Sequence, residues 1–139
     1  MAELVEGPIE VERLLAGAAR HDCGAVVLFL GTTRDHHQGR AVVRLEYEAY
    51  HPMALAALEQ TERETVARHP VASCRIVHRL GVVSAAEASI AVVVAAAHRS
   101  AAFDACRWAM DQVKSTAPIW KKEHYADGGT GWVEGATLG

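Results

Sequence analysis

The chain has 139 residues, half of them apolar. That suffices for one domain with a hydrophobic core and excludes a disordered chain. A formal charge of -3 argues against a general nucleic-acid binder but leaves room for a local anion pocket.

Met1 to Gly7 reads as a peripheral strand or arm. Pro8-Ile9-Glu10-Val11-Glu12 starts a short helix ending near His21, with proline early and acids at the positive end. Cys23 to Thr32 is almost wholly apolar and is expected to be a strand buried on both faces. It runs into the polar loop Gly31 to Arg40. Arg34 in this loop either aims a fork of donors at a carboxylate or phosphate, or braces the loop. His36 and His37 lack a matched set of metal ligands and are read as solvated or loop-packing.

Val42 to Tyr50 alternates polar and apolar residues and is expected to hairpin with the first strand. Its Glu46 and Glu48 read as a solvated face. Met53 to Arg68 is an amphipathic helix closed by His69-Pro70. Ser73 to Arg79 is a strand, Gly81 begins a turn, and Ser89 to Ala97 suits an interior strand.

A helix follows, from a Ser100 cap to about Lys114. Phe103, Cys106, Met110 and Val113 recur on one face. Ala117-Pro118 breaks it, and short strands are expected near Lys122 to Tyr125 and Gly131 to Glu134. Helices set against a mainly antiparallel sheet give an α+β pattern in a single domain over 1–139. Cys23, Cys74 and Cys106 make neither a disulfide framework nor a metal knuckle. With no basic leader and no apolar run of membrane-spanning length, a cytoplasmic protein is expected.

The chemistry concentrates around the last helix. All three lysines, Lys114, Lys121 and Lys122, fall within nine residues. Arg99 sits at a helix start, where backbone N–H groups also favour an anion. His98 beside it either binds the same group, shuttles a proton or is structural. Lys114 also suits the negative end of the helix, so capping alone would explain it. A pocket of Arg34, His98, Arg99, Lys114 and Lys121 would attract an anionic substrate and leave one amine able to act as a base.

Several segments carry a family resemblance: Gly24-Ala25-Val26-Val27, Phe29, Gly31, Arg34, Leu45-Glu46-Tyr47, His78-Arg79-Leu80-Gly81 and Ala97-His98-Arg99-Ser100. Phe103, Met110-Asp111, Lys114, Ala117-Pro118-Ile119-Trp120-Lys121-Lys122-Glu123 and Trp132-Val133-Glu134 extend it. Together they resemble the molybdopterin synthase large (catalytic) subunit family, from about Pro8 to Glu134. The resemblance implies an α/β-hammerhead fold with an additional small antiparallel β subdomain. It implies a sulfurtransferase of molybdenum cofactor biosynthesis that needs no metal or cofactor of its own.

In that reading, two sulfurs pass from the C-terminal Gly-Gly thiocarboxylate of a ubiquitin-like carrier subunit to cyclic pyranopterin monophosphate, making the dithiolene. The large subunit is a homodimer inside a heterotetramer. Lys114 and Lys121 become the catalytic residues and also bind substrate. Arg34, His98 and Arg99 hold the phosphate and pterin, with contributions from the neighbouring subunit, and Phe29 and Met110 form the pocket wall. One departure is that relatives often carry a basic residue where Gly135 and Ala136 stand. Two other functions compete: a noncatalytic module that binds a partner's C-terminal carboxylate tail, and a structural dimerisation domain.

Overall fold

The computed structural model describes residues 1–133, so the departure at Gly135 and Ala136 lies outside the described residues. In chain order the elements are β1 (Glu3–Val5), α1 (Val11–Ala18), β2 (Ala25–Thr32), β3 (His36–His37), β4 (Arg40–Ala49) and α2 (His51–Arg68). They continue with β5 (Ser73–Arg79), β6 (Gly81–Ser84), β7 (Ala88–Ala96), α3 (Arg99–Thr116), β8 (Ile119–Tyr125) and β9 (Thr130–Val133). The fold is α+β, consistent with a hammerhead fold carrying a small β subdomain.

One sheet has the order β1-β5-β7-β2, with β1 parallel to β5 and the other pairs antiparallel. Strand β7 is one of its two interior strands, and its small and β-branched residues let helices close on both faces. Ile90, Val92, Val94 and Ala96 face one core with Leu58 of α2 and Ala105, Ala109 and Val113 of α3. Ala91, Val93 and Ala95 point the other way, onto Leu14 and Ala18 of α1. The two-residue period of a strand thus builds both cores from one segment.

Two expectations about the first half change here. Strand β2 lies at the end of its sheet and is not buried on both faces; Val26 and Phe29 are 41% and 40% exposed. Strand β4 does not hairpin with β2. It belongs to the second sheet, where it pairs with β3, β6 and β8. The hairpin in this region is β3–β4, turned by Gln38 and Gly39, both with positive φ (51° and 79°). Two left-handed residues in a two-residue turn match the twist of the flanking strands. Gly81 likewise opens a strand at φ 81°, where glycine is the unstrained residue.

Helix α3 starts two residues earlier than expected, with His98 and not Ser100 at the cap. Its buried face is Ala102, Ala105, Cys106, Ala109, Met110 and Val113. Phe103, expected on that face, is 60% exposed. Ala117 turns extended before Pro118, as the residue preceding proline prefers, and the chain enters β8. Trp108 sits under Arg68 and beside His69 at the end of α2. Among the described residues no helix is long and apolar enough to cross a membrane.

His78 on β5 is fully buried against the edge of Tyr47, and its Nδ1 donates to the Arg79 carbonyl. Its Nε2 is buried without a hydrogen-bond partner among the described residues. Burial pushes its pKa from 6.5 down to about 4, against the opposing pull of the Arg79 carbonyl. Between those values the unfolded chain binds a proton that the folded chain refuses. Stability is therefore expected to fall by roughly 3 kcal/mol as pH drops from 7 to 4 through this group alone. Urea unfolding of wild type and His78→Leu across that range checks it. The variant should lose less stability on acidification, and equal losses would contradict the assignment.

Candidate active site

The second sheet places the site. Successive residues of β8 alternate faces, so Ile119, Lys121 and Glu123 look inward while Trp120 and Lys122 look outward. Lys122 lies 5.7 Å from the Trp132 ring centroid, away from the cleft. Lys121 and Glu123 line a small cleft of about 60 Å³ with Arg34, Tyr47, Phe29 and Met110. Its floor is tight: a Cβ at Gly31 would come within 2.7 Å of the Ile90 side chain. Glycine there lets β2 approach β7 beneath the cleft.

A wider, more apolar groove of about 560 Å³ runs between β2 and α3. Val27, Phe29, Phe103, Cys106 and Met110 line it, and Lys114 stands on its wall. Phe29 and Met110 belong to both cavities. They form the partition between an apolar groove and a charged cleft.

The electrostatics set the amines apart from ordinary surface lysines. Burial pushes the Lys121 amine below the usual lysine value. The charges of Arg34 and Lys114 push it the same way, and Glu123 opposes them. Arg34 and Lys114 therefore both act on the Lys121 amine. Burial acts to raise the Glu123 carboxyl, but hydrogen bonds from His37 and Tyr125 and the His37 and Lys121 charges outweigh it. The net result lies below the usual glutamate value. The buried thiols of Cys74 and Cys106 are pushed up to about 12 and about 11, which removes them as nucleophiles near neutral pH.

Of the residues singled out in the sequence, Arg34, Lys121, Phe29 and Met110 meet at the cleft, and Lys114, Phe29 and Met110 at the groove. His98 and Arg99 line neither cavity. They begin α3 while Lys114 is in its last turn, and 15 residues of helix span about 22 Å. The expected five-residue cluster therefore does not form within one chain. Sequence reasoning missed Glu123, His36 and Tyr47. Glu123 was findable, because it stands two residues beyond Lys121 on the same face of an extended segment. Glu46, read as solvated, accepts a hydrogen bond from His124 on the outer face of the sheet, in keeping with that reading.

A cationic cleft joined to an apolar groove on an α+β scaffold is the kind of site that binds an anionic ligand with an apolar part. The MoaE protein family matches residues 4–116. Molybdopterin synthase catalytic subunit 1 of Aedes aegypti is 46% identical over 121 residues, covering 86% of this chain and 78% of the relative. The molybdopterin synthase catalytic subunit of Pyrococcus abyssi is 41% identical over 134 residues, covering 95% and 90%. The crystal structure of molybdopterin synthase from Staphylococcus aureus superposes with a TM-score of 0.90 at 36% identity, covering 95% of this chain and 96% of that one. The chain belongs to the molybdopterin synthase catalytic-subunit family. It is a sulfurtransferase of that family, and its reaction moves sulfur onto a pyranopterin monophosphate.

Proposed function

We propose that the two cavities divide the reaction between them. The charged cleft takes cyclic pyranopterin monophosphate, with Arg34 and Lys121 on its anionic groups. The apolar groove takes the C-terminal Gly-Gly tail of a ubiquitin-like carrier subunit and brings its thiocarboxylate to Lys114. Two sulfurs transferred in this way make the dithiolene of molybdopterin. Lys114 stabilises the charge of the tetrahedral adduct, and Lys121 binds substrate and assists the same step. Phe29 and Met110 shape the junction at which the two reactants meet. The observation that carries this reading is the Phe29–Met110 partition, with one lysine on the groove side and one on the cleft side.

His98 and Arg99 then act from a second copy of the chain. Strand β2 at the sheet edge, with Val26, Phe29 and Phe103 exposed near the groove, supports a homodimer. Carriers docked on each large subunit complete a cytoplasmic heterotetramer. Mixed dimers test the arrangement. Arg99→Ala and Lys114→Ala chains, each impaired alone, are expected to regain sulfur transfer when unfolded together and refolded. One site of each mixed dimer then combines the intact Arg99 of one copy with the intact Lys114 of the other. A mixture no more active than its parents would overturn the shared site.

A further inference from the structure

Glu123 presents an arrangement that the proposed reaction does not by itself require. Its side chain is 5% exposed, and both of its hydrogen bonds end on one oxygen. His37 Nδ1 donates to Oε1 at 2.8 Å, and the Tyr125 hydroxyl donates to the same Oε1 at 2.8 Å. Neither donor is loosely placed. His37 is fixed in β3 by pairing with Arg40. The Arg40 guanidinium lies 3.5 Å over the Tyr125 ring and is held by Asp127 at 2.9 Å.

Lys121 stands two residues away on the same inward face, of opposite charge and half-buried. A buried carboxylate and a nearby ammonium ordinarily close into an ion pair, because neither is well solvated there. Here the carboxylate is paired with His37 and Tyr125 instead.

We infer that His37 and Tyr125 are positioning residues that hold the Glu123 carboxylate off Lys121, keeping the amine available to an anionic substrate. The device resolves a conflict inside the cleft. Burial, Arg34 and Lys114 all weaken the charged form of the Lys121 amine, and a negative charge close by opposes them. A carboxylate in direct contact would do so but would occupy the donor that the substrate needs. A carboxylate tied back by two donors supplies the field without the contact. The other groups facing this pair are Tyr47 of β4, His36 at the cleft mouth, Arg34 of the β2–β3 loop and Lys114 of α3. None of these is a donor to Glu123 among the described residues.

The inference rests on the proposed function only for its effect on rate, so two readouts separate them. With only three lysines in the chain, carbon-13 lysine labelling gives three Cε signals, assigned by single Lys→Arg variants. In Tyr125→Phe and in His37→Ala, Glu123 is released toward Lys121. The Lys121 titration midpoint is expected to rise by about one unit while Lys122 stays in place. Adding Glu123→Gln to either variant should abolish the rise, and His37→Gln, whose amide can donate from a similar place, should restore much of the wild-type midpoint. In sulfur transfer, the same release raises KM for the pyranopterin substrate roughly tenfold and lowers kcat less than Lys121→Ala does, since the amine is engaged but not removed. An unmoved Lys121 midpoint in both folded variants, or a rise that survives Glu123→Gln, would overturn the clamp. The titration shift with no product from the wild-type enzyme would overturn the proposed function and leave the clamp standing.

Discussion

Lys114→Ala is expected to lower single-turnover formation of the dithiolene product by roughly 10²- to 10³-fold, with carrier binding little changed. That is the size of effect seen when one fixed donor is removed from a site where charge develops during reaction. Lys114 stands on the groove wall in the last turn of α3, close enough to Lys121 to depress its amine. A lysine that only capped the helix would contribute about 0.3–1 kcal/mol of stability and nothing to the rate. Single-turnover rates and urea unfolding measured on the same protein separate the two roles. A variant with wild-type rate and a small loss of stability would reduce Lys114 to a cap. Lys114→Arg should recover only part of the rate, because a planar guanidinium cannot replace a compact ammonium at one point.

Ile90→Ala is expected to remove about 3 kcal/mol of stability, a large share of what a domain of this size has. Ile90 is 1% exposed on β7 and lies under the cleft, where Gly31 leaves no Cβ between the strands. Neighbouring side chains on a nine-residue interior strand have little freedom to collapse into the void. Equilibrium urea unfolding checks the magnitude. The same change deepens the cleft floor beside Phe29 and Met110, so KM for the pyranopterin substrate should rise as well. A loss under about 1 kcal/mol would show that the floor relaxes and that β7 is not the rigid base of the site.

The sequence made some features plain and hid others for identifiable reasons. Strand β7 and helix α3 were legible because an unbroken apolar run and a three-to-four spacing are local signals. Strand β2 has a similar apolar run, yet it is an edge strand. Composition reports that a segment is apolar, but its number of strand neighbours is set by distant parts of the chain. The misplaced pairing of β4 has the same origin. The Gln38-Gly39 turn makes a small hairpin that redirects β4 into the second sheet. Phe103 fell on the expected helix stripe but outside the buried arc, because three alanines and a cysteine already fill the space against β7 and α2.

The site was legible in part. Lys121 was singled out by lysine clustering, and the alternation along β8 turns Lys122 away from it. Glu123 was not singled out, and His37 was read only as solvated or loop-packing, for different reasons. Glu123 carried a readable signal, its spacing from Lys121. His37 carried none, since its bond to Glu123 joins residues 86 positions apart. His98 and Arg99 are conspicuous as sequence, yet they lie a helix length from Lys114. The sequence shows cations before and after α3 but not that one helix keeps them apart within a chain.

The most direct measurement combines purified protein, thiocarboxylated carrier and cyclic pyranopterin monophosphate, and follows dithiolene formation over a single turnover. The account predicts a dithiolene product, two carrier thiocarboxylates consumed per product, and no product from carrier with an ordinary C-terminal carboxylate. Equal binding of both carrier forms with no dithiolene from either would contradict it and leave a tail-binding module in place of an enzyme.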